Sequence, residues 1–257
     1  MAGISVIGAG SWGTAIGVLL SGKGLSVTLW ARNNEFCDTL NKEKENKLYL
    51  PGIKFPKTLS ITSSLEDAFS GARIIVCCVP SHGIRGIFKG VSPVDGAIIV
   101  SASKGIEQKT HLTPSGILGS VLPKGIPIAV ISGPTFAKEV SMRLPSAACA
   151  AAESIAIAEE VQEAFSTPYF RVYTNTDTIG VELGGAMKNV IAIASGISDG
   201  LGLGFNARAA LITRGLKEIS VLGLAMGANE ATFYGLSGLG DLVLTCTGPL
   251  SRNYTLG

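Results

Sequence analysis

The sequence is poor in charge, since Asp, Glu, Lys and Arg together make up only 16% of its 257 residues. The formal net charge of +2 is too small to indicate binding to nucleic acid or to an acidic membrane surface. Hydrophobic residues make up 46%, which predicts a substantial core and excludes extensive disorder. The length suits one large domain or two modest ones.

The sequence also lacks the patterns of disulfide-bonded, zinc-binding, secreted and membrane proteins. Its five cysteines form no CxxC pair and no cluster with ligand spacing, so we expect reduced thiols and no metal site. The start, "MAGISVIGAG", has neither the basic segment nor the long apolar run of a signal peptide. The longest apolar stretches, such as "IIVCCV", are too short to span a bilayer. We therefore expect a soluble cytoplasmic protein.

Short apolar runs alternate with helix-like segments over the first two thirds of the chain. Strands are predicted at 4–8, 26–31, 73–80, 97–103, 126–132, 147–152 and 169–174. Helices are predicted at 13–22, 34–44, 63–69, 111–120 and 154–166. The strand segments are almost continuously apolar, as is typical of parallel strands that are covered on both faces. This rhythm predicts an α/β domain with a Rossmann-like doubly wound sheet over residues 1–176.

The pattern changes after "NTDTIG", because no convincing strand follows. Helices are predicted at 178–197, 207–226 and 229–234, separated by glycine. Residues 177–257 are therefore predicted to form an all-α domain. Its last segment ends on a glycine, and we predict no closing helix there.

A glycine-rich loop stands at the head of the predicted sheet. In "GAGSWG", the GxGxxG spacing is formed by Gly8, Gly10 and Gly13, directly after a strand and before an apolar helix. Glycine at these positions allows a tight turn, close approach of a pyrophosphate and close packing of helix on strand. The helix N-terminus adds free N–H groups for phosphate. In this context the motif predicts dinucleotide binding rather than an ordinary glycine turn.

Arg32 indicates which dinucleotide is favoured. In "LWARNNE" it stands near the end of the second strand, where enzymes that use NAD typically carry an acid for the ribose hydroxyls. A guanidinium can hold a 2′-phosphate with forked, charge-assisted hydrogen bonds. We therefore expect NADP(H) to be favoured, with NAD(H) also usable. The alternative is a solvated arginine at a strand end.

Lys188 is an unusual residue within "GGAMKNVIAIASG". Its helical neighbours at three and four residues are Gly184, Gly185, Ile191 and Ala192, none of them charged. An unpaired buried ammonium is costly, so a reason outside local packing is expected. The two glycines are predicted to leave open space beside the lysine. A lysine that extends its ammonium to solvent at a domain seam is the alternative.

Five segments together resemble the bacterial-type NAD(P)-dependent glycerol-3-phosphate dehydrogenases. They are "GAGSWGTA" (8–15), "SASKGIE" (101–107), "SGPTFAKEV" (132–140), "VELGGAMKNVIAIASGISDGLGLGFNARAAL" (181–211) and "GLGDLVLTCTGPLSRNYTLG" (238–257). They cover the chain from end to end in the order of that family. The resemblance implies interconversion of sn-glycerol 3-phosphate and dihydroxyacetone phosphate with NADP(H) or NAD(H), to supply phospholipid synthesis. It also implies a homodimer through the helical domain.

The resemblance also implies a role for each matching residue. Lys188 would be the acid/base at C2 of the substrate, with a pKa lowered from about 10.4 toward roughly 7–8 by its apolar setting and nearby cations. Lys104 would contact both substrate and cofactor. The other implied substrate contacts are Gly133, Thr135, Asp241, Ser251, Arg252 and Asn253. The other implied cofactor contacts are Ser11, Trp12, Ala137 and Arg252, in addition to Gly8, Gly10, Gly13 and Arg32.

The sequence departs from the family at its end, because family members usually continue well beyond "SRN" whereas this sequence stops at Gly257. The helical domain is thin at this size, which puts stability and activity in doubt more than identity. Two alternatives stay open. One is another dehydrogenase of the same architecture that acts on a hydroxy acid or sugar acid, and the other is an NADP-binding module without turnover.

Overall fold

The computed structural model describes residues 3–257, which form a twisted sheet followed by a layer of helices. The strand order across the sheet is β3-β2-β1-β4-β5-β6-β7-β8. The strands are β1 Gly3–Ile7, β2 Val27–Trp30, β3 Leu59–Thr62, β4 Ala72–Cys77, β5 Ile98–Ser101, β6 Ile128–Ser132, β7 Ser146–Ala152 and β8 Phe170–Asn175. The order reverses between β1 and β4, which is where doubly wound sheets bind ligands.

Helices cover both faces of this sheet. They are α1 Ser11–Gly22, α2 Asn34–Glu43, α3 Leu65–Phe69, α4 Ser81–Phe88, α5 Pro114–Val121, α6 Ala137–Ser141 and α7 Ile155–Phe165. Side chains of the central strands are buried on alternate sides, with Val6 and Val76 in one core and Ile75 and Ile99 in the other. The predicted Rossmann-like α/β class is confirmed.

Three elements of the sheet region were not predicted, and the last two strands run opposite to the other six. β3, α4 and α6 are each short, and β3 is a half-exposed edge strand without a continuous apolar run. β7 pairs antiparallel with β6, and β8 then runs parallel to β7. The segment between β6 and β7 contains only the five-residue α6, so the chain turns back at the same edge of the sheet.

The rest of the chain is helical, as predicted. The elements are α8 Thr178–Gly200, α9 Gly204–Ala225, α10 Glu230–Phe233, a π-helical turn at Leu236–Gly240, α11 Asp241–Thr247 and α12 Arg252–Leu256. The prediction that no closing helix follows was wrong. Ser251 caps α12 by accepting a hydrogen bond from the N–H of Tyr254 at 3.2 Å. The exact division into domains at residues 176 and 177 stays a prediction.

No helix within residues 3–257 has both the length and the apolar composition needed to cross a membrane. In the same residues, no three His, Cys, Asp or Glu side chains lie together as a metal site would require.

Candidate active site

The glycine loop joins β1 to α1 at the carboxyl edge of the sheet, beside β4. Gly8 has a φ of +117°, which side-chain-bearing residues rarely adopt, and a Cβ there would lie 3.0 Å from the carbonyl oxygen of Cys78. A Cβ on Gly13 would overlap the carbonyl oxygen of Gly8. These two glycines therefore let α1 pack directly onto β1 and β4.

Gly10 has a different role, because no atom lies within 4 Å of the position that a Cβ would take. The first turn of α1 carries no acidic residue and no side-chain cap, so its N–H groups are free to meet an anion. Ser11 and Trp12, both half-buried, form that first turn. The open side at Gly10 and the uncapped helix fit the pyrophosphate of a dinucleotide.

Asn46 holds this loop in place and was missed by the sequence analysis. It is completely buried, and its side-chain amide donates to the carbonyl oxygen of Ala9 at 3.0 Å and to the hydroxyl of Thr14 at 2.8 Å. It lies in the charged stretch "NKEKENK", where the composition indicates an exposed segment. No signal in the sequence could have identified it as a partner of the glycine loop.

Arg32 lies one residue beyond Ala31, at the carboxyl end of β2, with its side chain exposed. Within residues 3–257 it forms no ion pair. Its guanidinium is therefore available to a ligand at the edge of the sheet that holds the glycine loop.

The centre of the site is a carboxylate shared by two lysines from distant parts of the chain. Asp241, at the start of α11, is only 1% exposed. One of its oxygens accepts a hydrogen bond from Lys188 of α8 and the other accepts one from Lys104, which follows β5. The prediction that Lys188 has no acidic partner was therefore wrong, because the partner lies 53 positions further along the chain.

The glycines beside Lys188 do not leave the open space that was predicted. A Cβ on Gly184 would lie 2.5 Å from the carbonyl oxygen of Ser237. A Cβ on Gly185 would lie 2.6 Å from the hydroxyl of Ser132 and 3.5 Å from the Cε of Lys104. These glycines instead let the π-helical turn, β6 and the Lys104 side chain close in on α8, which brings the two ammonium groups to the same carboxylate.

This crowding changes the acidity of Lys188. The pKa of Lys188 is lowered to about 7. Burial is the largest cause, the nearby Lys104 ammonium also lowers the pKa, and Asp241 opposes both by raising it. An amine with a pKa near neutrality can both accept and release a proton at the pH of a cell. A structural lysine on a protein surface would not show this property.

Thr245 completes the surroundings of Lys188 and was also missed. Its hydroxyl accepts a hydrogen bond from the Lys188 ammonium at 2.6 Å and donates one to the carbonyl oxygen of Asp241 at 2.7 Å. Its spacing from Asp241 was the available signal. Residues four apart lie on the same face of a helix, so Thr245 is expected to face the same site as Asp241.

The "GPTFA" segment lies next to this cluster, between β6 and α6. A Cβ on Gly133 would lie 2.8 Å from the Cα of Ala148, so glycine is needed there for the close approach of β7. The hydroxyl of Thr135 donates to the carbonyl oxygen of Gly133 at 3.2 Å, and Ala137 begins α6. Pro134 lies 3.6 Å from the Cβ position of Gly240, which precedes Asp241.

The "SRN" residues form a separate group further along α8. Ser251 is buried as the cap of α12, Arg252 is exposed and Asn253 is half-buried. α12 packs on α8 so closely that a Cβ on Gly196 would overlap the carbonyl oxygen of Tyr254. The structure thus unites Lys104, Lys188 and Asp241 by direct contact, whereas within residues 3–257 the "SRN" side chains make no hydrogen bond to them.

Comparisons with known proteins establish the family. The model for the N-terminal part of NAD-dependent glycerol-3-phosphate dehydrogenase matches residues 3–158, and the model for its C-terminal part matches residues 177–257. The chain belongs to this dehydrogenase family. The resemblance seen in the five sequence segments is thereby confirmed.

Individual members of the family are similar over nearly the whole chain. The glycerol-3-phosphate dehydrogenase [NAD(P)+] of Geobacter sulfurreducens is 54% identical, over 99% of this chain and 77% of its own length. The crystal structure of the Coxiella burnetii glycerol-3-phosphate dehydrogenase aligns with a TM-score of 0.94 at 42% identity, covering 98% of this chain and 78% of that one. The glycerol-3-phosphate dehydrogenase GPD1 of Saccharomyces cerevisiae aligns with a TM-score of 0.85 at 30% identity, over 98% and 79% of the two chains.

Membership of the glycerol-3-phosphate dehydrogenase family makes the chain an NAD(P)-dependent oxidoreductase. It also sets aside the alternative of a different dehydrogenase with the same architecture. The glycine loop, with its open side at Gly10, is the part of this chain that fits the shared cofactor.

Proposed function

We propose that this dehydrogenase interconverts sn-glycerol 3-phosphate and dihydroxyacetone phosphate with NADP(H) or NAD(H), and that Lys188 is its catalytic acid/base. The observation that carries the proposal is the cluster of buried Lys188 and Asp241 with half-buried Lys104, in which the pKa of Lys188 is lowered to about 7. The names of the similar enzymes, which specify glycerol 3-phosphate, support the same substrate.

Lys188 moves the proton of the reaction. A bound nicotinamide supplies the chemistry of hydride exchange with C2 of the substrate. In the oxidation direction the neutral amine of Lys188 accepts the proton of the C2 hydroxyl, and in the reduction direction the protonated amine returns it to the C2 oxygen. Asp241 and Thr245 fix the direction of the Lys188 side chain, and the charge of Lys104 keeps the pKa of Lys188 low enough for the exchange.

The other residues bind and orient the two ligands. Substrate contacts are proposed for Lys104, Gly133, Thr135, Lys188, Asp241, Ser251, Arg252 and Asn253. Within this set Arg252 and Asn253, together with Ser251, hold the phosphate, because a dianion needs a fixed cation together with neutral donors. Cofactor contacts are proposed for Gly8, Gly10, Ser11, Trp12, Gly13, Arg32, Lys104, Ala137 and Arg252.

The position of α12 along α8 suits a site in which Lys188 transfers the proton and the "SRN" residues bind the phosphate. Tyr254 meets α8 at Gly196, eight residues beyond Lys188, which corresponds to about 12 Å along the helix axis. The long side chains of Lys188 and Arg252 can reach across this distance from opposite ends, so that both contact one three-carbon substrate with its phosphate. We further propose that residues 1–176 form the NAD(P)-binding domain and that residues 177–257 form the helical substrate-binding domain.

The cellular setting and assembly are part of the proposal. Five free cysteines favour the reducing cytoplasm, where the product would supply phospholipid synthesis. The small net charge gives no support for a nucleic-acid partner. Exposed apolar side chains at the junction of α8 and α9, such as Leu201 and Phe205 at 69% and 78% exposure, favour a homodimer through the helical domain. Light scattering at two concentrations would test that assembly.

The test of the function is the loss of NADPH absorbance when dihydroxyacetone phosphate is added. We expect the unaltered chain to turn over the substrate, and we expect Lys188→Ala to lose at least about 100-fold of that turnover. The control variant Lys109→Ala, which removes an exposed lysine, should lose no turnover. Normal turnover in Lys188→Ala would contradict the role of this residue. Binding of NADPH without any turnover by the unaltered chain would favour a binding module over an enzyme.

A further inference from the structure

A second polar cluster lies outside the Lys188 site and joins three helices. Asp199, near the end of α8, accepts hydrogen bonds on one carboxylate oxygen from the guanidinium of Arg208 and from the hydroxyl of Tyr254. Arg208 belongs to α9 and Tyr254 to α12. The side chains of Asp199 and Arg208 are only 23% and 18% exposed, so solvent screens this contact weakly. The proton-transfer chemistry above does not use these three residues.

α12 is held on α8 by a close backbone contact, by its Ser251 cap and by this cluster. The helix has five residues and none of them is buried. A helix of that length is not stable alone in water. Its backbone lies directly on α8, since a Cβ on Gly196 would overlap the carbonyl oxygen of Tyr254 and a Cβ on Gly257 would overlap that of Ile193. This contact sets the distance between the two helices through their backbones.

The Tyr254 hydroxyl adds a side-chain hydrogen bond that joins α12 to α8. Its acceptor is itself held, because Arg208 bonds to Asp199 and its guanidinium lies 4.9 Å from the centre of the Phe205 ring. The tyrosine directly follows Arg252 and Asn253 in the same turn of helix. A shift of α12 would therefore displace both side chains together.

We infer that Asp199 and Tyr254 are positioning residues, which hold α12 so that Arg252 and Asn253 meet the phosphate of the substrate. The inference rests on the proposed function, in which these two residues grip the phosphate. Neither Asp199 nor Tyr254 touches the substrate in this scheme. Their main effect is expected at the phosphate end, since the hydrogen bonds of Lys188 are made to residues of α11 and not of α12.

The test compares Tyr254→Phe and Asp199→Asn with the unaltered chain. Each variant weakens the contact and keeps the side-chain volume. We expect the KM for dihydroxyacetone phosphate to rise about tenfold, as is typical when a hydrogen bond to a charged group is lost. The inhibition constant of inorganic phosphate, used as a probe of the same subsite, should rise in parallel. The kcat should stay within about twofold of the unaltered chain, and the KM for NADPH should rise less than that for dihydroxyacetone phosphate, because only Arg252 of the displaced pair also contacts the cofactor.

A matched control is Tyr234→Phe, because Tyr234 also pairs with a carboxylate, Glu230 at 3.4 Å, but lies on the surface near α10. It should change none of these constants. Thermal melts of all variants show whether they fold, and a variant that melts like the unaltered chain makes the kinetic comparison valid for that position.

The inference is overturned if the two variants keep the KM of the unaltered chain, if kcat falls while KM does not change, or if the KM rises while the inhibition constant of phosphate does not. The proposed function fails in a different way, when the unaltered chain does not turn over dihydroxyacetone phosphate. In that case the inference fails with it.

Discussion

Replacing Asp241 with asparagine should move the pH dependence of the reaction rather than simply abolish it. The carboxylate is 1% exposed and is the only acidic group that bonds to the two lysines within the described chain. It raises the pKa of Lys188, whereas burial and Lys104 lower it to the net value of about 7. Asparagine keeps the size of the side chain and removes its charge, so only the lowering influences remain.

The expected shift follows from the charge that is lost. Opposite unit charges about 4 Å apart attract by about 4 kcal/mol at an effective dielectric constant of about 20. One pKa unit corresponds to about 1.4 kcal/mol, so complete loss amounts to about three units. Because the asparagine oxygen can still accept a hydrogen bond, we expect a fall of about two units. The protonated fraction of Lys188 at pH 7 would then fall from about one half to about 1%, which slows reduction about 50-fold.

The assay is kcat/KM between pH 5 and 9 in both directions, with Asp95→Asn as a matched change of an exposed acid. In oxidation, which requires neutral Lys188, the acidic limb should move from near pH 7 to lower pH. In reduction, which requires protonated Lys188, the alkaline limb should move the same way. An Asp241→Asn profile that keeps its limbs near pH 7, or moves them upward, would refute the reasoning.

Three further predictions concern the glycine loop, the cofactor and stability. Gly10→Ala should keep the free energy of unfolding within about 0.5 kcal/mol of the unaltered chain, because the new methyl group enters open space. The same methyl group would occupy the space proposed for the pyrophosphate, so calorimetry should show weaker binding of NADPH. Gly13→Ala should lose up to about 3 kcal/mol in urea unfolding as well, because its Cβ overlaps Gly8, and equal stability of the two variants would contradict this contrast. Arg32→Glu should raise the KM for NADPH about tenfold and leave that for NADH nearly unchanged, and a parallel rise of both would exclude a 2′-phosphate contact. Lys188 has a folded pKa below the ordinary value of 10.5, so the unfolded chain binds more protons between about pH 7 and 10.5 and stability gains as pH rises through that window. The stability of the unaltered chain relative to Lys188→Met should therefore increase by up to about 2 kcal/mol between pH 7 and 9, and a constant difference would contradict the lowered pKa.

The sheet could be predicted because its strands are buried on both faces and are therefore continuously apolar. β3 escaped detection because an edge strand with half-exposed residues carries little of that signal. The direction of β7 depends on how the chain turns after β6, and strand composition contains no information about direction. α11 and α12 were missed because each is a short helix in a segment broken by glycine and proline.

The site could be predicted only in part for a related reason. The cost of a buried ammonium correctly marked Lys188 as a residue that needs explanation. Its partner Asp241 could not be deduced from helical spacing, because the two residues meet through the packing of α11 on α8. The resemblance to the family did single out Asp241, but as a contact of the substrate. Asn46 is the extreme case, since its neighbours in sequence are charged and its contacts with the glycine loop are tertiary.

The shared carboxylate also bears on how the chain is made. Lys104 and Lys188 leave the ribosome well before Asp241, so for the time needed to add the intervening residues the growing chain holds two ammonium groups without their counter-ion. Docking α8 against the sheet in that interval would either bring like charges together in a poorly solvated place or require Lys188 to release its proton, and both oppose docking. Arrival of α11 removes the penalty and locks the sheet, α8 and α11 at one point. The residue that tunes the chemistry thus also favours closure of the helical layer only after α11 has been made.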